Sequence, residues 1–487
     1  MTPVPTARPQ SGCSIAVPTQ LELRPSPFLQ DAAFTGLTAV ANAALLVFTT
    51  RLLTGGLGLE DFGAFGLSRR LLNMLTLVSI NQVGIAAARY VAMEQKEPGQ
   101  SGYFISSLLL SVPTGIALLL LAVAAGPEAA RLVFHNASYG PLLLATTALL
   151  FSQCFYTSVF AFYRGRGTMR RANLWNLAMM GVAPLIAAWA FARPGHSATV
   201  MLCQAVLTLL AIVPAAVHVT LALARFSGGL EVLRRARQLA VYSLPRMPSG
   251  LTFSGLLLLA PLAAGFLGRL QEAGYLVIGQ YVVFIADVAT TTFSTLALPK
   301  VAQKFALEDV AFLRDRLHDI TELALHGGLF LSMELLLWSR EILIVWIGPQ
   351  YLGALPVVRI TMLSILPYLI YGMLRSVVDA VDSRPVNMWN TVGALSVAIL
   401  AAVVLWKAGT GVVGLAVAST CGMFVLGILT VRYVRRKYPS QAALQLMEVS
   451  AVCGGFLLLQ YLLKVALEMR LSALSMLGVG ALSAAGS

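Results

Sequence analysis

Runs of about twenty mainly apolar residues recur along nearly the whole 487-residue chain. Each is long enough to cross the ~30 Å hydrocarbon core of a bilayer as a helix. The runs lie near 31–53, 64–88, 103–125, 140–162, 173–192, 198–224, 243–267, 275–299, 320–347, 354–381, 388–407 and 411–432. A thirteenth is expected near 448–468, and 471–487 is either a short fourteenth or a surface segment. Prolines and glycines inside several runs are tolerated better in membrane helices than in soluble ones. Outer-membrane barrels show ~10-residue segments of alternating polarity, which the continuous run Leu108–Ala125 excludes. A charged fraction of 11% and a mean hydropathy of +0.80 also exclude a soluble domain, in which about a quarter of residues are charged. The expectation is an all-α, polytopic membrane protein.

Loop charge gives a direction. With the N-terminus placed inside, 22 of the 34 basic residues fall in inner segments and 7 in outer ones. Lys and Arg accumulate on the cytoplasmic side, so the N-terminus is expected in the cytoplasm. The same bias accounts for most of the +13 net charge without a nucleic-acid partner. The five cysteines, Cys13, Cys154, Cys203, Cys421 and Cys453, show no paired spacing and read as small hydrophobes. Residues 1–30, Pro-rich and polar, are expected to form a disordered cytoplasmic tail. Two inner connections exceed a turn, Arg225–Arg246 and Lys300–Ile320. In the second, Val310, Leu313, Leu317 and Ile320 recur at helical spacing, which predicts an amphipathic helix on the inner leaflet.

The two halves of the chain repeat. Glu60-Asp61-Phe62-Gly63 is matched by Gln271-Glu272-Ala273-Gly274, 211 residues later. Arg89 is matched by Lys300 at the same offset, Tyr139 by Tyr351 at 212, and Asn173-Leu174-Trp175-Asn176 by Asn387-Met388-Trp389-Asn390 at 214. Each repeat holds six spans, so both copies share one orientation and are related by an axis along the membrane normal. The expected division is an N-lobe at 31–224, a cytoplasmic connection at 225–246, a C-lobe at 247–432 and an appendix at 433–487 holding one or two extra helices. Two parallel six-helix lobes that rock against each other suit alternating access.

Five motifs in order carry a family resemblance. They are Leu52-Leu53 followed by Glu60-Asp61-Phe62-Gly63-Ala64-Phe65-Gly66; Gly84-Ile85 with Arg89-Tyr90-Val91-Ala92; Tyr242-Ser243-Leu244-Pro245; Glu272-Ala273-Gly274-Tyr275; and Gly348-Pro349-Gln350-Tyr351. Over roughly residues 31–432 the chain resembles bacterial polysaccharide flippases of the Wzx type. That branch belongs to the MOP superfamily, with the multidrug MATE exporters and the lipid II flippase. The resemblance implies a MATE-like fold and a transporter moving undecaprenyl-diphosphate-linked oligosaccharide to the outer leaflet. It also implies a polysaccharide polymerase and a chain-length regulator as partners. A multidrug or lipid II exporter of the same fold is the alternative, because fold alone does not select a substrate. A glycosyltransferase, polymerase or ligase is less favoured, because the outer loops are too short to carry a catalytic domain.

Ionisable residues at membrane depth cost ~2.5–3.5 kcal/mol on insertion scales and need a reason. Arginine binds diphosphate oxygens bidentately and stays ionised when partly desolvated. The candidates for an anionic lipid-linked oligosaccharide are therefore Arg69, Arg70, Asn73, Arg89, Arg246, Lys300 and Arg375. Arg89 and Lys300 are expected as a symmetric pair at the cytoplasmic mouth. Asp287, Glu334 and Asp379 are the candidates for coupling to H⁺ or Na⁺, since buried carboxylates change protonation with conformation. The scattered histidines lack metal-ligand spacing, and no phosphate-binding Gly-rich loop is present. No metal, cofactor or ATPase activity is expected.

Overall fold

The computed structural model describes residues 27–77, 82–94, 97–223, 229–284, 286, 290, 310–381 and 385–437, with four isolated helical positions at 455, 458, 461 and 462. These residues form helices α1 (Pro27–Gly56), α2 (Leu59–Thr76), α3 (Gln82–Met93), α4 (Glu97–Phe134), α5 (Gly140–Gly165), α6 (Met169–Asn176), α7 (Ala183–Phe191), α8 (Ser197–Leu223), α9 (Gly229–Ser243) and α10 (Met247–Phe266). They continue with α11 (270–284), then α12 (Val310–Leu337), α13 (Ser339–Ile342), α14 (Leu355–Met362), α15 (Ile365–Val381), α16 (Val386–Lys407) and α17 (Gly411–Lys437). Nine of the described helices are long and apolar enough to cross a membrane, or ten if the bent pair α14–α15 is one span. Leu120, Leu210 and Leu400 are each more than 60% exposed, as residues that face lipid are. The thirteenth and fourteenth spans fall outside the described residues, apart from those four positions.

Several spans differ in detail from the sequence expectation, each for a local reason. The third runs on to Phe134 and kinks at Ala125, two residues before Pro127, whose ring cannot sit over the preceding turn. The fifth is interrupted by a π-helical stretch at Leu177–Val182. The ninth breaks at Trp338 and ends in a second π-helical stretch, Leu343–Ile347. The tenth bends by 44° between α14 and α15. The segment Val310–Ile320 is helical, as its spacing predicts, but it is the first part of α12 and not a separate surface helix. No Pro or Gly lies between Val310 and Gly327 to end it. The amphipathic connecting helix is instead α9. It turns Ala236 and Leu239 inward, holds Arg235 against the Gly99 carbonyl at 3.1 Å and receives the Tyr103 hydroxyl at Gln238.

Helices α1–α9 pack chiefly among themselves, as do α10 and α12–α17. The main contacts between the two sets are α2 with α10, α1 with the stretch Leu343–Ile347, and α4 with α10. A seam between α2 and α11 joins them. A side chain at Gly63 would fall on the Leu270 carbonyl, and one at Gly274 would lie 3.1 Å from the Gly63 Cα. One turn deeper, Gly66 faces Val277, and another turn on, Arg70 lies over the Tyr281 ring. The pairs Gly63–Gly274, Gly66–Val277 and Arg70–Tyr281 are each separated by 211 residues, the offset of the repeat. A residue that meets its own counterpart lies on the axis relating the two copies, so α2 and α11 cross on that axis.

Candidate functional site

The seam widens along its length because its residues grow. Gly63 and Gly274 bring the backbones together near the α1–α2 turn, Gly66 meets a valine, and at Arg70 the filling is a guanidinium and aromatic rings. Close helix approach of this kind depends on small residues.

The α1–α2 face is closed by bonds between the two halves. The Arg51 Nη1 and Thr54 hydroxyl donate to the Ile347 carbonyl at 2.7 and 3.1 Å. The Trp346 indole donates to the Val47 carbonyl at 2.9 Å. The Tyr351 ring packs edge-on against Phe62. On the other side of the axis the Val133 carbonyl abuts Gly265 and the His135 ring abuts Gly268. The C-half thus reaches over the end of α1, and the N-half reaches over the end of α10. Asp61 is not a helix cap, since the N-cap of α2 is Gly58. Its carboxylate accepts from the Tyr139 hydroxyl at 3.2 Å and the Gly195 N–H at 2.6 Å, tying together loops of its own half.

At mid-depth, neighbouring arginines on α2 point in different directions. Arg69 Nη1 donates to Gln204 Oε1 of α8 at 2.9 Å, within the N-half. Arg70 is 6% exposed and points across the seam. Its guanidinium carbon lies 5.0 Å from the Tyr281 ring centroid and 4.7 Å from that of Phe284, both on α11. A desolvated cation–π contact contributes ~2 kcal/mol or more, so two of them offset much of the cost of placing the charge there. The Nε and Nη2 atoms of Arg70 are buried and make no hydrogen bond among the described residues. These two atoms form one edge of the guanidinium fork, the edge that takes a carboxylate or phosphate side-on. Farther along α2, Asn73 is exposed and the Thr76 hydroxyl donates to Gln153 Oε1 at 2.8 Å.

The remaining described candidates have neighbours of their own. Arg89 is exposed and lies 4.8 Å from the ring centroid of Tyr242 on the connecting helix α9. Arg375 is exposed on α15, 6.0 Å from the Tyr371 ring, and its carbonyl accepts from the Asn387 amide. Glu334 is half-buried on α12, and its Oε1 makes no hydrogen bond among the described residues. Lys300 and Asp287, and the side chains of Arg246 and Asp379, lie outside the described residues, so the pairing of Arg89 with Lys300 at one mouth is not described. Sequence reasoning missed Tyr281, Gln204 and the bonds of Arg51 to Ile347 and of Trp346 to Val47. The repeat offset applied to Arg70 points to Tyr281 directly. No sequence signal links Arg69 to Gln204.

No protein-family model matches the chain, and no curated protein sequence matches it. Solved structures do. An inward-facing MATE-family multidrug resistance transporter of the MOP superfamily superposes with a TM-score of 0.69 at 15% identity, covering 84% of this chain and 98% of that one. The lipid II flippase MurJ in an inward closed conformation gives 0.69 at 12% identity, covering 89% of this chain and 92% of that one. An outward-facing MATE-family transporter gives 0.61 at 13% identity, covering 84% and 95%. The chain has the MATE-like fold that these transporters and flippases share.

Proposed function

We propose that this chain is a flippase that carries an anionic, lipid-linked oligosaccharide across the bacterial inner membrane by alternating access, as a secondary-type transporter without its own ATPase. The single observation behind this reading is the open Nε–Nη2 edge of Arg70. A buried, permanently charged fork lies over two aromatic rings, and its Nε–Nη2 edge makes no hydrogen bond among the described residues. A diphosphate satisfies that edge bidentately, and Arg69 one residue away adds charge. Undecaprenyl diphosphate bearing an oligosaccharide is the ligand class that the motif resemblance favours. The lipid II flippase of the same fold supports lipid-linked cargo in general.

In this reading the α1–α2 face is periplasmic and the N-terminus cytoplasmic. The bonds of Arg51, Thr54 and Trp346 hold the periplasmic end shut while the substrate loads from the other side. Parting of the α2–α11 seam then exposes Arg70 outward. Glu334, together with Asp287 and Asp379, is the proposed place for H⁺ or Na⁺ to bias the cycle. Reconstitution into liposomes tests the assignment. A fluorescent undecaprenyl-diphosphate oligosaccharide should become accessible to a quencher on the opposite leaflet, while lipid II and cationic drugs stay untransported. Drug or lipid II movement without oligosaccharide movement would instead assign the chain to one of those cargoes.

A further inference from the structure

A second feature lies away from the seam and does not depend on the cargo. Helices α12, α15 and α17 leave between them a groove of about 570 Å³. Its walls are Leu325, Leu366, Ile370, Phe424 and Ile428, and Gly427 lets α17 close on Pro367 at its floor. Phe424 and Ile428 are 39% and 62% exposed, so the groove is open to its surroundings. At the end away from the α1–α2 face it is lined by Arg432, Arg435 and Arg436. None of these three guanidiniums makes an ion pair or hydrogen bond among the described residues.

The dimensions fit one lipid leaflet. From Phe424 to Arg436 the helix rises about 18 Å at 1.5 Å per residue, against ~15 Å for half of the hydrocarbon core. The apolar part therefore lies at acyl-chain depth and the arginines at headgroup depth. Basic pockets between membrane helices recognise phosphate headgroups, and a basic cluster just beyond a span attracts anionic lipid. The charge of the rim and the apolarity of the wall select the same molecule. We propose that this groove is a binding site for one anionic membrane phospholipid, with an acyl chain between α12, α15 and α17 and its phosphate on Arg432, Arg435 and Arg436.

Native mass spectrometry of the full chain, released from nanodiscs of mixed phosphatidylglycerol and phosphatidylcholine, tests this. Phosphatidylglycerol should be retained about tenfold over phosphatidylcholine. The triple variant R432Q/R435Q/R436Q should lose that preference, and Ile428→Trp, which fills the open wall, should lower retention of both lipids. Equal retention of the two lipids by the unaltered protein would overturn the proposal, as would a preference that survives both variants. Disulfide formation between cysteines placed at Ile428 and Leu458 would overturn it differently, by putting the chain's own C-terminal segment in the groove. Transport assays are not involved, so failure here leaves the flippase reading untouched.

Discussion

The two levels of the α2–α11 seam are built from repeat-related positions, yet they behave as opposites. At the α1–α2 face, glycine meets glycine, and Arg51, Thr54 and Trp346 donate to backbone carbonyls of the other half. Two turns deeper, Arg70 meets Tyr281, and two of its donors make no hydrogen bond among the described residues. The first level is satisfied by the protein alone. The second is not satisfied by the described residues alone. At one pair of positions 211 residues apart, one half carries a cation and the other an aromatic ring.

The largest expected effect comes from removing the unsatisfied level. Arg70→Ala takes away both the charge and the fork, and a hydrogen bond to a charged group contributes ~1.5–3 kcal/mol. With two such bonds at stake, lipid flipping in proteoliposomes should fall by about 100-fold or more. Arg70→Lys keeps a point charge but not the planar edge and should fall by only about tenfold. Equal losses in both variants would mean that Arg70 is needed for its shape in the seam and not for an anion. Flipping unchanged in Arg70→Ala would remove Arg70 from the site.

The closed level should respond next, and unevenly. A methyl at Gly63 falls on the Leu270 backbone, which cannot yield, whereas one at Gly66 meets only the Val277 side chain. Gly63→Ala should therefore open the α1–α2 face far more than Gly66→Ala. A cysteine at Thr54, 2% exposed in the closed state, reports the opening through its labelling by a membrane-impermeant maleimide. Labelling that rises equally in both variants would show that the seam gives way as a whole and not by level.

These two levels were unequally legible in the sequence. Span length and apolarity are properties of composition, so most of the described spans lie close to where the apolar runs place them. The repeat was legible because Gly63 and Gly274 serve the same need, close approach of two helices, in both halves. The kink at Ala125 has a sequence cause in Pro127, whereas the break at Trp338 and the π-helical stretch at Leu177–Val182 carry no such local signal. Arg70 was recognisable as a buried charge, but its surroundings were not. Tyr281 and Phe284 read as ordinary aromatic residues of an apolar helix until the axis brings that helix against α2. The position of Arg89 at a helix end suggested a mouth, and its ring neighbour, Tyr242 on the connecting helix, carried no sequence signal.

Smaller effects should come from single bonds across the closed face. Arg51→Gln removes a charged donor to Ile347 and Trp346→Phe a neutral donor to Val47. Charged hydrogen bonds contribute ~1.5–3 kcal/mol and neutral ones ~0.5–1.5 kcal/mol. The closed-to-open ratio should then fall about tenfold or more for Arg51→Gln and only a few-fold for Trp346→Phe, read by the same Thr54 cysteine. If Trp346→Phe opened the face more than Arg51→Gln, ring packing and not hydrogen bonding would be what closes it.

The smallest effect sharpens the comparison most, because it separates stability from closure. The Tyr139 hydroxyl bonds Asp61 at 3.2 Å at the same end of the molecule, but both residues belong to the N-half. Tyr139→Phe removes one hydrogen bond to a carboxylate that keeps its second contact, the 2.6 Å bond from Gly195. A loss of ~1 kcal/mol should lower the melting temperature of the purified protein slightly. It should leave Thr54 labelling where it was, since nothing that crosses the axis has changed. Arg51→Gln, at the same depth but across the axis, should do the reverse and alter labelling more than melting. If Tyr139→Phe also raised labelling, each half would have to deform in order to open. The two halves would then not move as rigid lobes, and the seam alone could not account for how the molecule changes face.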